Sequence, residues 1–171
     1  DWFFKSHRLP VALEAIKQGY KVHLACLNTG LFNELTDLGI VCHDLPFSRS
    51  GVNLKQELML LLQLRKLIKK IKPDVTHTVT IKPGLYIGLI AKITRVPAIV
   101  FAISGLGLVF SSNSQRLKRV LVKMLYRLAF KHANKKIIFQ NPSDRNTLLG
   151  VLRAPESVAE MIKGSGADLN D

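Results

Sequence analysis

The sequence predicts an α/β protein built on a parallel sheet with helices on both faces. Helix-like and strand-like segments alternate along all 171 residues, and strands joined through helices run parallel by right-handed crossovers. Gly19, Gly39 and Pro73 stand at the ends of three helical patterns, where chain breakers belong. With 47% hydrophobic residues, the chain can bury the core of one ordinary domain, so a single soluble unit is expected.

The elements follow in order. Ser6 to Gln18 reads as a helix stopped by Gly19, and Tyr20 to Cys26 is rich in strand formers. Leu31 to Leu38 is a short helix ended by Gly39, and Ile40 to Cys42 a short strand. Leu54 to Lys70 is the clearest helix, with Asn53 placed to cap its free N–H groups and Pro73 just beyond its end. Val75 to Val79 then reads as a strand, Gly84 to Thr94 as a helix, and Ala98 to Ile103 as a buried strand. Gln115 to His132 is a long helix and Lys136 to Gln140 another strand. Gly164 to Asp171 is small and polar, as a flexible connection would be. No internal repeat or low-complexity tract interrupts the series.

Charge narrows the function. A formal +13 points to a phosphate-rich partner: nucleic acid, an anionic membrane surface or a phosphorylated substrate. Cys26 and Cys42 lie among strand-like residues and are too few for a disulfide framework or a metal site, so two reduced core thiols and a reducing compartment are expected. Leu85 to Val109 is broken by Lys92, Arg95, Pro97 and Ser104 and falls short of a membrane span. No signal peptide is visible, and a start at Asp1 leading almost at once into a helical pattern suggests a front that has been trimmed.

From Val75 to Ser143 there are eleven Lys/Arg and no Asp or Glu, which excludes paired-carboxylate chemistry there and favours anions. In an open parallel sheet the ligand crevice lies beyond the carboxyl ends of the strands. The segments expected there are Asn28 to Gly30, Phe47 to Arg49, His77 to Pro83, Ser104 to Gly107 and Gln140 to Ser143. Ser104-Gly105-Leu106-Gly107 lets backbone N–H groups approach a ligand, although Leu108 to Phe110 opens no helix and the dinucleotide fingerprint is unmet. Bound NAD is not predicted. His77 reads either as a hydrogen-bonded core residue or as a site residue. Lys82 before Pro83 is expected to be extended, with Gly84 opening the next helix, so that cation and helix N-terminus form a positive lip.

Arg116, Arg119, Lys123, Arg127 and Lys131 recur at spacings of three and four on the long helix. Leu117, Val120, Leu121, Met124, Leu125 and Leu128 take the other side, giving a basic amphipathic helix. A helix that is merely solvated usually mixes both signs of charge, so the absence of acids favours an anionic surface. Tyr126 and Phe130 read as core, which leaves no stacking platform for nucleic acid.

Five ordered stretches resemble successive motifs of bacterial family 4 glycosyltransferases. They are Asp1 to Pro10; His77-Thr78-Val79-Thr80-Ile81-Lys82-Pro83 with Tyr86 and Gly88; Ile103 to Phe110; Phe139-Gln140-Asn141-Pro142-Ser143-Asp144; and Gly164 to Leu169. They are most similar to enzymes that extend polyprenyl-diphosphate-linked sugars for capsule, O-antigen and glycoprotein glycans. The resemblance implies the N-terminal, acceptor-side Rossmann-like domain, residues 1–163, of a retaining GT-B enzyme, with 164–171 opening the interdomain linker. A first strand ahead of Asp1 and the C-terminal donor domain would be missing, so the fragment is expected to be inactive. No cofactor and no metal are implied. His77 and Lys82 would be the catalytic side chains near the sugar or diphosphate. Thr78, Thr80, Gly105, Gly107, Gln140 and Asn141 would line the substrate, and Trp2, Ser6 and Arg8, in the first loop and helix start, would meet the acceptor. The implied partners are a nucleotide-sugar, held mainly by the missing domain, and a polyprenyl-diphosphate-linked sugar. Arg116, Arg119, Lys123 and Arg127 would face an anionic membrane, placing the enzyme in the cytoplasm on the inner face of the cytoplasmic membrane. The alternatives are a non-catalytic basic module binding nucleic acid or membrane, and a sugar-nucleotide epimerase of the same architecture.

Overall fold

The computed structural model describes residues 1–47, 53–106 and 116–162, with the side chains of 116–119 outside the description. Gly107, Ser48, Arg49 and the 164–171 segment therefore lie outside the described residues. The chain divides into two compact units, one ending at Gln63 and the other beginning at Leu64. Each is taken by itself.

The first unit holds helix α1 (Trp2–Lys17), strand β1 (His23–Cys26), helix α2 (Phe32–Asp37), strand β2 (Val41–Asp44) and the start of helix α3 (Leu54–Ile71). β1 and β2 pair in parallel, with Leu24 opposite Cys42 and Cys26 opposite Asp44. Ala12, Leu35 and Ile40 form a small core, packed by Phe4, Leu9, Ile16, Val22, Leu24, Leu31 and Cys42. The expected helix ends hold: Gly19 (φ +86°) and Gly39 (φ +87°) turn the chain in backbone conformations that side chains resist. The start of α1 is corrected from Ser6 to Trp2. Asp1 caps it, one carboxylate oxygen accepting from the Trp2 N–H at 2.6 Å, which satisfies a donor that would otherwise be orphaned. Trp2, Ser6 and Arg8 are consequently helical residues and not part of a loop.

The second unit continues α3 and adds β3 (Val75–Val79), α4 (Ile81–Thr94), β4 (Ala98–Ile103), α5 (Arg116–Ala129), β5 (Lys135–Phe139), α6 (Pro142–Leu152) and, after a 3-10 turn at Glu156–Val158, β6 (Ala159–Met161). The four strands form one parallel sheet in the order β3-β4-β5-β6. One face, with Ile99, Phe101, Ile103, Ile137 and Phe139, is completely buried. Phe101 stacks on Phe130 with ring centroids 4.2 Å apart, an arrangement that contributes about 1 kcal/mol beyond burial. At Gly88 of α4 an added Cβ would lie 2.1 Å from the Ala129 carbonyl oxygen of α5, so these two backbones meet where only glycine fits.

Three expectations change here. α4 starts at Ile81 and not at Gly84, so Lys82 and Pro83 occupy its first turn. Proline is tolerated there because its missing N–H would be unpaired anyway. α6 and β6 are further elements, β6 adding a fourth parallel strand beside β5. α5 is also turned the other way. Tyr126, Ala129 and Phe130 are buried, whereas Val120, Leu121, Met124, Leu125 and Leu128 are exposed.

Candidate functional site

Parallel pairing brings the carboxyl ends of β3, β4 and β5 to one edge of the second unit, with Val79 opposite Ala102 and Ile103 opposite Phe139. Just past this edge stand Thr80, Ser104–Gly105 and Gln140–Asn141. Thr80 turns β3 directly into α4, its N–H donating to the Ala102 carbonyl at 3.0 Å. With φ +69° and ψ 169° it caps α4 without a side-chain hydrogen bond, a conformation that costs a non-glycine residue about 1–3 kcal/mol. Gly105, at φ +154°, makes the matching turn after β4 with open space where a Cβ would stand.

The first turn of α4 carries no acid. Its free N–H groups and dipole present roughly half a positive charge. Lys82 adds a full one, its Nζ lying 5.8 Å from the centroid of the Tyr86 ring one helical turn on. Gly84 sits below, where an added Cβ would touch Phe101, Thr78 Oγ1 and Phe130 at 3.4–3.6 Å, so the turn rests directly on the core. This corner can hold an anionic group through backbone N–H groups and one cation.

The other residues expected at this edge divide. His77 is in mid-strand opposite Val100, exposed and on the sheet face opposite the buried Thr78. Thr78 donates from Oγ1 to the Val100 carbonyl at 3.4 Å and serves the strand packing. The Asn141 side chain caps α6, accepting from the Asp144 N–H and donating to Asp144 Oδ2, both at 2.8 Å. Gln140 is half-buried at the strand end.

In the first unit Trp2 is 63% exposed. Ser6 Oγ sits 2.6 Å from His7 Nδ1 and donates to the Trp2 and Phe3 carbonyls. Arg8 is half-buried; its Nη1 donates to the His7 carbonyl at 3.3 Å, while Nε is buried with no partner among the described residues. Burial alone draws the Arg8 guanidinium below its ordinary value. Such a group gains from an anionic ligand.

The sequence did not mark Asp1 and Asp44 as loop anchors. Asp1 accepts from the Thr29 and Leu31 N–H groups and from the Thr29 hydroxyl, and Asp44 accepts from the Asn28 N–H at 3.0 Å. The N–H groups of Asn28, Thr29 and Leu31 are thus committed within the chain. Across the strands His23 Nδ1 and His43 Nε2 lie 2.9 Å apart; burial first, then Lys21, hold His23 below the usual imidazole range. Among the described residues no three His, Cys, Asp or Glu side chains converge as metal ligands, and no helix is long and apolar enough to cross a membrane.

Comparison with known proteins adds the lineage. A protein of Escherichia coli, the UDP-Gal:alpha-D-GlcNAc-diphosphoundecaprenol alpha-1,3-galactosyltransferase, is 25% identical over 122 residues, which is 71% of this chain and 31% of that protein. The chain thus spans under a third of the length of this relative. MurG of Acinetobacter baumannii, known from a crystal structure, aligns with a TM-score of 0.46 at 12% identity over 90% of this chain and 60% of its own. The family model described as "Glycosyl transferase 4-like" matches residues 1–141. With 141 of 171 residues matched by one family model, the chain belongs to the glycosyl transferase 4-like family.

Proposed function

We propose that this chain is the acceptor-side part of a retaining GT-B glycosyltransferase. It would move a hexosyl or N-acetylhexosaminyl group from a nucleotide-sugar to a polyprenyl-diphosphate-linked saccharide in surface polysaccharide assembly. Family membership over residues 1–141 is the observation that carries this. The Escherichia coli relative, by its name, acts on a sugar linked through a diphosphate to undecaprenol, a substrate of the same kind. Residues 1–163 would be the acceptor-side domain, 164–171 the start of a linker, and a second domain the main holder of the donor nucleotide.

During transfer the bond from the anomeric carbon to the nucleoside diphosphate breaks. A bond to the acceptor hydroxyl oxygen forms, and the hydroxyl proton passes to the departing phosphate. Negative charge grows on the diphosphate, where fixed dipoles and a cation act most strongly. The first turn of α4, which carries no acid, supplies them together with Lys82. Gly105 lets a sugar or phosphate approach the backbone, and His77 and Gln140 flank the same sheet. Trp2 offers an exposed ring to a sugar face, and Arg8 offers its unsatisfied Nε–H to an acceptor anion. Because a polyprenyl acceptor lies in a bilayer, the enzyme would work as a peripheral protein on the cytoplasmic face of the membrane. Arg116, Arg119, Lys123 and Arg127 are then candidates for headgroup contact, although Arg127 Nε already donates to the Val151 carbonyl at 2.7 Å.

The test is the full-length protein, given nucleotide-sugars one at a time with a polyprenyl-diphosphate N-acetylhexosamine acceptor. One donor is expected to give a product with retained anomeric configuration. Lys82→Ala is expected to lower kcat/KM about a hundredfold, the scale for losing one stabiliser of developing charge, with Lys82→Arg recovering part of it. Absence of transfer from every donor sinks the proposal; full turnover by Lys82→Ala removes Lys82 from it.

A further inference from the structure

The side chains around His7 in α1 fix its ring and leave one edge of it without a partner. The imidazole stacks on Phe3, one helical turn back, with ring centroids 4.4 Å apart and planes 8° from parallel. Its Nδ1 lies 2.6 Å from Ser6 Oγ. The Ser6 hydroxyl has a single proton, directed to the Trp2 and Phe3 carbonyl oxygens at 3.2 and 3.3 Å, which can only accept. Ser6 Oγ therefore accepts from His7, so the hydrogen of the neutral ring sits on Nδ1 and Nε2 carries a lone pair. Phe3 sets the plane of the ring and Ser6 its tautomer, while Nε2 has no hydrogen-bond partner among the described residues.

The chemistry of that lone pair selects its ligand. It accepts from O–H or N–H groups and is repelled by phosphate oxygens, so a neutral donor matches it and an anion does not. Trp2 supplies a second wall: its ring, 63% exposed, meets the His7 ring at 66° with centroids 6.5 Å apart. A pyranose laid on an aromatic face buries C–H groups there and carries its hydroxyls at the rim, within reach of an acceptor set at an angle to that face. Arg8 follows directly on the helix, half-buried, with its Nε unpaired among the described residues. An apolar shelf, a hydroxyl acceptor and a cation with a spare donor thus stand together in the first two turns of α1, which is what a sugar diphosphate requires.

We propose that His7 is a specificity-determining residue for the acceptor: its Nε2 accepts a hydrogen bond from a hydroxyl of the acceptor sugar while that sugar lies on Trp2, and Ser6 is the positioning residue that holds the tautomer. This rests on the glycosyltransferase reading above and names the contact by which the acceptor sugar is selected.

Steady-state kinetics of the full-length protein with a polyprenyl-diphosphate N-acetylhexosamine acceptor test it. His7→Asn keeps an N–H donor near the place of Nδ1 and removes Nε2. It should raise KM for the acceptor about 10-fold, with kcat and the donor KM unchanged. His7→Gln, whose amide reaches the place of Nε2, should recover part of the loss. Ser6→Ala should raise the same KM about 3-fold, because the ring then loses its fixed tautomer. Acceptors lacking one sugar hydroxyl at a time identify the contact. One of them should be about 10-fold weaker with the unaltered protein and no weaker than the parent acceptor with His7→Asn, since both changes remove the same bond. An unchanged acceptor KM in His7→Asn overturns the proposal. So does a deoxy series in which no acceptor is weaker with the unaltered protein, a result that needs no variant to fold. Absence of transfer by the unaltered protein defeats the glycosyltransferase reading alone, and calorimetric binding of a water-soluble N-acetylhexosamine diphosphate then decides His7. That binding should weaken about 10-fold in His7→Asn; equal binding by the two proteins, or none by the unaltered one, overturns the proposal.

Discussion

Single residues at the β3–α4 junction carry the tightest link between backbone energy and chemistry. Thr80 holds φ +69° with no side-chain cap to repay it, and strain kept at a strand exit beside Lys82 marks a position where geometry matters more than stability. Thr80→Gly should raise the unfolding free energy by about 1 kcal/mol, because relief of strain outweighs the extra chain entropy of glycine. The same change should lower transfer activity by loosening the first turn of α4. Thermal denaturation together with a transfer assay checks both; a variant that is less stable shows that Thr80 is unstrained. The sequence made Lys82 legible as a cation at a helix start, yet it hid the position of that start. The bias of a residue before proline toward extended backbone was overridden by the immediate turn at Thr80. Asn141 shows the converse. An Asn-Pro-Ser-Asp run is a helix N-terminus, and the side chain caps α6; that local signal was present, but the expected ligand role overshadowed it.

Among the elements, α4 and α5 decide whether the site corner is held. Their approach rests on Gly88, whose added Cβ would meet the Ala129 carbonyl oxygen at 2.1 Å. Backbone cannot withdraw as a flexible side chain can, so Gly88→Ala should cost about 3 kcal/mol, the upper end of ordinary overpacking, despite the higher helix propensity of alanine. Gly84 is the control. Its added Cβ would make contacts of 3.4–3.6 Å with side-chain atoms, so Gly84→Ala should shift stability by less than about 1 kcal/mol. Chemical denaturation of both variants checks the contrast, and equal losses would mean that the helices separate freely at Gly88. Alternation made the order and type of these elements readable from the sequence. The facing of α5 was not readable, because its apolar residues outnumber what one core side can take. Periodicity identifies two sides of a helix without saying which one meets the sheet.

For the whole molecule the ruling quantity is charge. Twenty-five basic residues face twelve acidic ones, and ion pairs among the described residues are exposed on at least one partner: Lys5–Glu34 at 41% and 48%, Lys17–Glu14 at 76% and 59%, Lys136–Glu160 at 51% and 55%, Arg145–Glu156 at 24% and 81%. Exposed pairs of this kind contribute roughly 0–1 kcal/mol each. Repulsion among the unbalanced cations is spread over the chain and opposes compactness. Salt weakens both, but the repulsion involves more groups at longer range, and charges farther apart than about 10 Å are largely screened at 0.1 M ionic strength. The thermal midpoint should therefore rise when sodium chloride is increased from low to physiological concentration. Phosphate at equal ionic strength should raise it further, because an anion that binds the folded state stabilises it by mass action. Differential scanning fluorimetry across the two salt series measures this directly. A midpoint that falls with salt would show that ion pairing outweighs repulsion. Equal curves for chloride and phosphate would show that the first turn of α4 with Lys82 does not select phosphate.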